Sequence, residues 1–222
     1  MEKYISKKEK ASYGFAAVGS YMVAGITQSY LMYFFTDILI IPSAFVMMLM
    51  IVARVWDALN DPMMGVIVDR TSTKYGKMRP YVLIGSFLML VTTIVLFMPL
   101  TGAPTMFKMI FAAVSYIIFG MAYTLTDVPA MGLMSVATPS SDERASLLSF
   151  YVTVGSVGSL LPVGLLTIFQ SFIPEKYVYF AMSIFVGIIT SAAYLTLFKN
   201  SKERFSTHTE KIAVRDMIKA AG

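Results

Sequence analysis

The chain has 222 residues, of which 57% are apolar and only 14% are charged, and its mean hydropathy is +0.70. These values lie outside the range of soluble domains and indicate a protein whose solvent is lipid. The absence of cysteine excludes disulfides and thiolate metal sites, and nothing in the formal charge of +5 suggests a nucleic-acid partner.

Six apolar stretches predict six membrane-spanning helices. Each is long enough for the ~20 residues that cross a bilayer, although the second must include charged residues to do so. All are much longer than the ~10 residues of a membrane strand. We therefore expect an all-α polytopic membrane protein, with one six-helix bundle over residues 1–198 and a polar tail over 199–222. The predicted helices lie at about 13–36, 42–69, 80–100, 105–133, 145–172 and 177–198.

Lysine and arginine are concentrated before the first helix, between the second and third, and after the sixth. Only Lys108 and Lys176 fall on the other side of the predicted bundle. Because basic loops are retained in the cytoplasm, the pattern predicts a multi-pass protein of the cell membrane with both termini cytoplasmic.

The first predicted helix has a polar edge that includes Tyr21 and Gln28. Packing between helices or an interfacial position explains most residues of this kind. Tyr21 and Gln28 are nevertheless the candidates on this helix for contact with a transported substrate.

The second helix places three ionisable residues inside an apolar segment. Arg54, Asp57 and Asp61 are spaced i, i+3 and i+7, so they share one helix face, and Asn60 lies close to it. A charge at the bilayer centre costs roughly 2.5–3.5 kcal/mol on insertion scales, so this face should turn toward the bundle interior. Carboxylate and amide oxygens suit Na⁺ or, alternatively, a shared proton, with Arg54 balancing part of the charge. Pro62 should kink the helix beside the acids.

The fourth helix supplies a further acid, Asp127, and a polar and aromatic stripe that precedes it. Residues 116, 120, 123 and 127 follow the spacing of one helix side. A purely structural network around Arg54 is the alternative. Three acids against one arginine leave excess negative charge, which an exchangeable Na⁺ at Asp57, Asp61 and Asp127 would neutralise.

The fifth helix carries small residues that should let neighbouring backbones approach closely. These residues are Gly155, Ser156, Gly158, Ser159 and Gly164. Together with Pro162 they indicate a packing helix rather than a substrate-binding one.

Four motifs are similar to those of the glycoside-pentoside-hexuronide:cation symporter family, a branch of the major facilitator superfamily typified by the melibiose permease. They are RVWDALNDPMMG from Arg54 to Gly65, DRT and GKMRP within 69–80, and YTLTDVP from Tyr123 to Pro129. The resemblance implies a coupling-cation site at the matching positions. These positions are Asp57, Asn60, Asp61, Thr124 and Asp127.

The same resemblance implies a cytoplasmic gating element between the second and third helices. Its matching residues are Gly65, Asp69, Arg70, Gly76, Lys77 and Arg79. Members of the family have twelve helices in two halves that enclose the substrate. This chain corresponds to the N-terminal half, and residues 211–221 of its tail resemble the linker that leads to the other half. The expected partner is therefore a second six-helix half, or a second copy of this chain in a homodimer.

The expected sugar site departs from the family pattern. Sugar-binding relatives use an acid in helix 1, an aromatic residue after the helix 4 proline and an arginine in helix 5. This chain has Ala17 or Tyr21, Met131 and Val152 at those places. The tyrosines Tyr116 and Tyr123 remain as candidates to stack on a pyranose ring.

We therefore expect cation-coupled symport, with Na⁺ or H⁺, of a glycoside or related sugar by alternating access. Two alternatives stay open: a transporter of lipid, lysolipid or another non-sugar solute with the same fold, and an inactive half that only binds a partner. No cofactor is implied. An enzyme is not expected, because no nucleophile with a neighbouring base accompanies the acids.

Overall fold

The computed structural model describes residues 4–205, and within that range it contains six α-helices, one π-helical turn and no strand. The all-α prediction is confirmed, with 83% of the structure helical. Part of the predicted tail, residues 206–222, lies outside the described residues. The elements are α1 Lys7–Tyr33, the π turn Phe34–Ile38, α2 Ser43–Arg70, α3 Arg79–Leu96, α4 Thr105–Ala137, α5 Ser141–Gln170 and α6 Glu175–Asn200.

Helices α1, α4 and α5 each extend at least four residues beyond one of their predicted bounds. Helix α1 begins six residues early because the side chain of Ser6 accepts a hydrogen bond from the Glu9 backbone N–H, which caps its N-terminus. Helix α4 continues past Pro129 to Ala137. A proline removes one backbone donor but does not end a helix whose neighbours hold it in place.

Five helices, α2 to α6, are long and apolar enough to cross a membrane by length and composition. Helix α1 is not among them, although it has 27 residues. It is rich in glycine, serine and tyrosine, and it packs along both α5 and α6. Much of the surface of α1 contacts protein instead of lipid, so this helix can cross the membrane with a lower hydropathy than the others. The expected polytopic membrane half-bundle is confirmed.

Helices α1 and α5 approach each other through glycines. A Cβ atom on Gly158 would lie 2.8 Å from the carbonyl oxygen of Val18, and one on Gly25 would lie 2.7 Å from the carbonyl oxygen of Ser159. Such contacts are too short for any side chain, and the opposing atoms belong to the backbone. The small residues of α5 therefore set its distance from α1, as their sequence pattern predicts.

The substitution Gly158→Ala is expected to lower the thermal stability of the protein. Alanine favours a helix by up to ~1 kcal/mol over glycine, but overpacking costs about 1–3 kcal/mol and here acts against backbone. Gly164→Ala is the matched control on the same helix, because no atom lies within 4 Å of a Cβ there. Thermal unfolding in detergent tests this, and equal melting temperatures for the two variants would contradict the close approach.

The connection between α1 and α2 is held by a buried lysine. The Lys108 ammonium on α4 is 7% exposed and donates a hydrogen bond of 2.8 Å to the carbonyl oxygen of Leu39, just after the π turn. The next residue, Ile40, has φ of +57°, which is rare for a β-branched side chain. Lys108 thus fixes a strained connection against α4.

Candidate functional site

A cavity of about 660 Å³ lies between α1, α2 and α4. Its size is within the range of small-molecule sites. Most of the predicted cation and substrate residues line it, whereas Asn60 and Tyr21 do not. The predicted residues in its wall are Gln28, Arg54, Asp57, Asp61, Tyr116, Tyr123, Thr124 and Asp127.

On the α2 side of the cavity, Arg54 and Asp57 form a loose ion pair. The guanidinium Nη1 lies 3.9 Å from Asp57 Oδ2, and the two side chains are 69% and 33% exposed. On α4, a Cβ atom added to Gly120 would lie 3.1 Å from Asp57 Oδ1. Because glycine has no side chain, there is room here for the Asp57 carboxylate. Exposed pairs of this length contribute little, so Arg54 leaves most of the Asp57 charge available.

A hydrogen bond joins α2 to α4 at the second acid. The hydroxyl of Thr124 donates to Asp61 Oδ1 at 2.9 Å. The neighbouring amide Nδ2 of Asn60 is buried and has no hydrogen-bond partner among the described residues, and the same holds for Trp56 Nε1. Two of the predicted cation ligands, Asp61 and Thr124, are thus hydrogen-bonded to each other, while Asn60 forms no hydrogen bond with either among the described residues.

The third acid, Asp127, is held by hydroxyl groups from three other helices. Its Oδ1 accepts hydrogen bonds from Ser20 Oγ of α1 at 2.8 Å, from Tyr194 of α6 at 3.3 Å and from Tyr151 of α5 at 3.5 Å. None of these three donors was predicted from the sequence. Tyrosines in apolar helices usually serve packing, and the sequence carries no signal that tells which helix faces meet.

The three carboxylates line one cavity but do not converge on one point. Among residues 4–205, no three acidic, histidine or cysteine side chains are grouped closely enough to hold a metal ion. The contacts already described explain this, because Asp127 is held toward α1, α5 and α6, while Asp61 is held by Thr124. The three-acid Na⁺ site therefore stays a prediction.

The candidate substrate residues fall into two groups. Tyr116, Tyr123 and Gln28 line the cavity, so their side chains can meet a ligand there. Tyr21 instead packs its ring over Gly155 and stands edge-on to Tyr151, with ring centroids 6.3 Å apart. In this conformation Tyr21 belongs to the contact between α1 and α5.

The predicted gating loop begins at an open face of α2. A Cβ on Gly65 would meet no atom within 4 Å, and Asp69 and Arg70 are exposed at the end of the helix. Neither Asp69, Arg70 nor Lys77 forms an ion pair within residues 4–205. The expected pairing of acid with base in this loop stays a prediction.

The end of the loop is held by Glu203, which follows α6. Its carboxylate accepts hydrogen bonds from the backbone N–H groups of Lys77, Met78 and Arg79, at 2.8, 2.9 and 3.0 Å. These N–H groups form the start of α3, where a negative charge is favoured. Gly76 has φ of +104°, and any side chain there would collide with Glu203. The loop is therefore anchored to the segment after α6.

The next residue, Arg204, pairs with a buried acid of α1. Its Nη2 lies 2.7 Å from Glu9 Oε2 and its Nη1 lies 2.9 Å from Glu9 Oε1, so the pair is bidentate. The Glu9 side chain is 1% exposed and that of Arg204 is 25% exposed. Hydrogen bonding to Glu9 raises the pKa of Arg204, so the guanidinium stays charged at any pH of practical use. Neither Glu9 nor Arg204 belongs to a site predicted from the sequence.

Comparison with known proteins gives a consistent result over nearly the whole chain. A model of the family described as MFS/sugar transport protein matches residues 12–222. The chain is 32% identical over 226 residues to an uncharacterised symporter of Bacillus subtilis, and 31% identical over 206 residues to a putative glycoside/cation symporter of Escherichia coli. It is 27% identical over 219 residues to an isoprimeverose transporter of Lactiplantibacillus pentosus.

These three alignments cover 98%, 91% and 96% of this chain, but only 49%, 44% and 46% of the relatives. The chain spans about half the length of the relatives that it matches. The matched half is the N-terminal one, as the sequence motifs predict.

Proposed function

This chain belongs to the MFS/sugar transport protein family, among its glycoside-pentoside-hexuronide symporters, and we propose that it forms one half of a cation-coupled transporter for a glycoside or related sugar. The predicted family is confirmed, and so is the expectation of a membrane transporter as opposed to an enzyme. Of the three relatives, one is named as an uncharacterised symporter, one as a putative glycoside/cation symporter and one as an isoprimeverose transporter.

The cavity between α1, α2 and α4 carries this proposal. It combines the aromatic side chains of Tyr116 and Tyr123 with the carboxylates of Asp57, Asp61 and Asp127. Apolar ring faces of a pyranose can stack on tyrosine, while its hydroxyl groups can donate to carboxylates. One cavity therefore offers surfaces for both a sugar and a cation.

The coupling cation is proposed to bind among oxygen atoms of α2 and α4. These are supplied by Asp57, Asn60, Asp61, Thr124 and Asp127. Carboxylates, an amide and a hydroxyl are hard ligands that suit Na⁺, and a shared proton is the alternative. Arg54 balances part of the negative charge through its loose pair with Asp57.

Cation binding would neutralise acids on two helices and so draw α2 toward α4. If this movement favours sugar binding, linkage requires that the sugar tighten cation binding by the same factor. With both termini cytoplasmic in the cell membrane, an inside-negative potential drives the cation inward at ~2.3 kcal/mol per charge per 100 mV. The loop that includes Asp69, Arg70 and Lys77 is the proposed cytoplasmic gate between the halves.

The second half is proposed to cover α2 and α5. In the apolar 18-residue stretch of each of these helices only 17% is buried inside the protein, against 50% in α6. Helices α2 and α5 therefore expose the most apolar surface to be covered. A complementary six-helix half is the preferred partner, and a second copy of this chain is the alternative.

Uptake into proteoliposomes tests this function, using the transporter that contains this chain together with its complementary half. We expect labelled isoprimeverose or another glycoside to accumulate several-fold above its equilibrium level under an inward Na⁺ or proton gradient, since both ions remain candidates. Without either gradient, only equilibration is expected.

Two outcomes would replace the proposal. Uptake of a lysolipid that no soluble sugar inhibits would indicate a lipid transporter of the same fold. A protein that takes up no solute, and whose melting temperature neither a sugar nor a cation raises, would indicate a half that only binds a partner.

A further inference from the structure

The Asp127 carboxylate is the point where four helices meet. Ser20 of α1, Tyr151 of α5 and Tyr194 of α6 all direct a hydroxyl to this one residue of α4. Tyr194 and Tyr151 are only 1% and 2% exposed, so their hydroxyl groups have no bulk water to bond. All three hydrogen bonds reach Oδ1, and Oδ2 receives none from the described residues.

The direction of the hydrogen bonds follows from counting protons. Ser20 has a single hydroxyl proton, and it is donated to Asp127 Oδ1. Ser20 Oγ also lies 3.1 Å from the hydroxyl of Tyr123, so Tyr123 must be the donor in that contact. The proton of Tyr123 is therefore committed to Ser20, and its oxygen lone pairs remain available in the cavity.

We propose that Ser20, Tyr194 and Tyr151 are positioning residues that hold Oδ1 of Asp127 and thereby present Oδ2, beside the Tyr123 oxygen, to a metal cation in the cavity. The proposal rests on the proposed symport and adds the residues that orient one of its cation ligands. Asp127 Oδ2 and the Tyr123 oxygen have no proton left to donate and can only offer lone pairs, which is what a bound Na⁺ requires.

A carboxylate turns easily about its last torsion unless one oxygen is fixed. Hydrogen bonds to a ligating group keep it in its binding orientation, and their loss typically lowers metal affinity 10–100-fold. Ser20 makes the shortest bond at 2.8 Å, followed by Tyr194 at 3.3 Å. The effect of substitution should follow that order, and Tyr151 at 3.5 Å should have the smallest effect.

Tyr13 of α1 provides a matched control. Its side chain is 0% exposed, and its hydroxyl has no hydrogen-bond partner among residues 4–205. Tyr13→Phe and Tyr194→Phe therefore remove the same atom from equally buried sites, and only the second breaks a contact with Asp127.

The experiment measures thermal unfolding of the full transporter at constant ionic strength while NaCl replaces choline chloride. The NaCl concentration for half-maximal stabilisation should rise about 10–100-fold in Ser20→Ala, with a smaller rise in Tyr194→Phe and none in Tyr13→Phe. In choline chloride alone, Tyr194→Phe should melt below Tyr13→Phe, because only Tyr194→Phe loses a hydrogen bond. A purely structural role of Tyr194 would lower the melting temperature at every NaCl concentration and leave the NaCl midpoint unchanged.

Two results would overturn the inference. Equal NaCl midpoints for wild type, Ser20→Ala and Tyr194→Phe would show that the hydroxyls do not orient a cation ligand. A wild-type protein that NaCl does not stabilise would remove the metal cation from Asp127. In either case the proposed symport is judged separately, by uptake under a proton or Na⁺ gradient.

Discussion

Replacement of Arg204 by methionine is expected to destabilise the protein by about 3–5 kcal/mol. The substitution removes the partner of Glu9, whose side chain is 1% exposed, and leaves its carboxylate buried without a countercharge. It also removes the hydrogen bond from Arg204 Nη1 to the carbonyl oxygen of Ala137, at 3.4 Å. Thermal or denaturant unfolding in detergent measures the loss.

Two variants make this result interpretable if the single variant fails to fold. Lys202→Met removes a neighbouring positive charge that is exposed, and it should change stability by less than about 0.5 kcal/mol. The double variant Glu9→Met/Arg204→Met removes both charges and should recover most of the loss, because an apolar pair of similar volume can replace a buried ion pair. If the double variant is no more stable than Arg204→Met, the buried charge is not the cause.

In an assembled transporter, Asp61→Asn should abolish cation-stimulated uptake. Asparagine keeps a side-chain oxygen that can accept the hydrogen bond from Thr124, which is 2.9 Å long in the native protein. The contact between α2 and α4 is therefore preserved while the negative charge is lost. Uptake driven by a Na⁺ or proton gradient should fall to the rate measured without a gradient, and the melting temperature without added cation should change little.

Asp142→Asn serves as the control for this experiment, because Asp142 is an exposed acid in the first turn of α5, away from the cavity. It removes the same charge and should leave the stimulation intact. Full stimulation in Asp61→Asn would take Asp61 out of the proposed cation site. A large loss of stability in the same variant would instead indicate that its charge serves folding.

Some features of the protein could be predicted from short stretches of the sequence. The lengths of the apolar segments fixed the number of helices, since a helix must rise through ~30 Å of hydrocarbon. The spacing of Arg54, Asp57 and Asp61 fixed their common face, because residues three and four apart lie on the same side of a helix. The kinship with sugar symporters could likewise be read from contiguous motifs, above all the run from Arg54 to Gly65.

Other features could not be read this way. The partners of Asp127 come from α1, α5 and α6, and Ser20 is separated from it by 107 positions. Glu9 and Arg204 are 195 positions apart, and Glu203 lies 126 positions from Lys77. The two partners of each contact never share a local pattern, so no periodicity or motif could have joined them.

By itself, the sequence determined a helical membrane half-bundle with acids turned inward on α2 and α4, because segment length and helical spacing depend only on neighbouring residues. The tertiary structure alone decided which hydroxyls hold Asp127, which arginine neutralises Glu9 and which acid anchors the loop before α3. Those contacts depend on how far each helix is rotated and shifted against the others. Rotation and shift follow from the packing of all six helices together, including the close approach at Gly25 and Gly158.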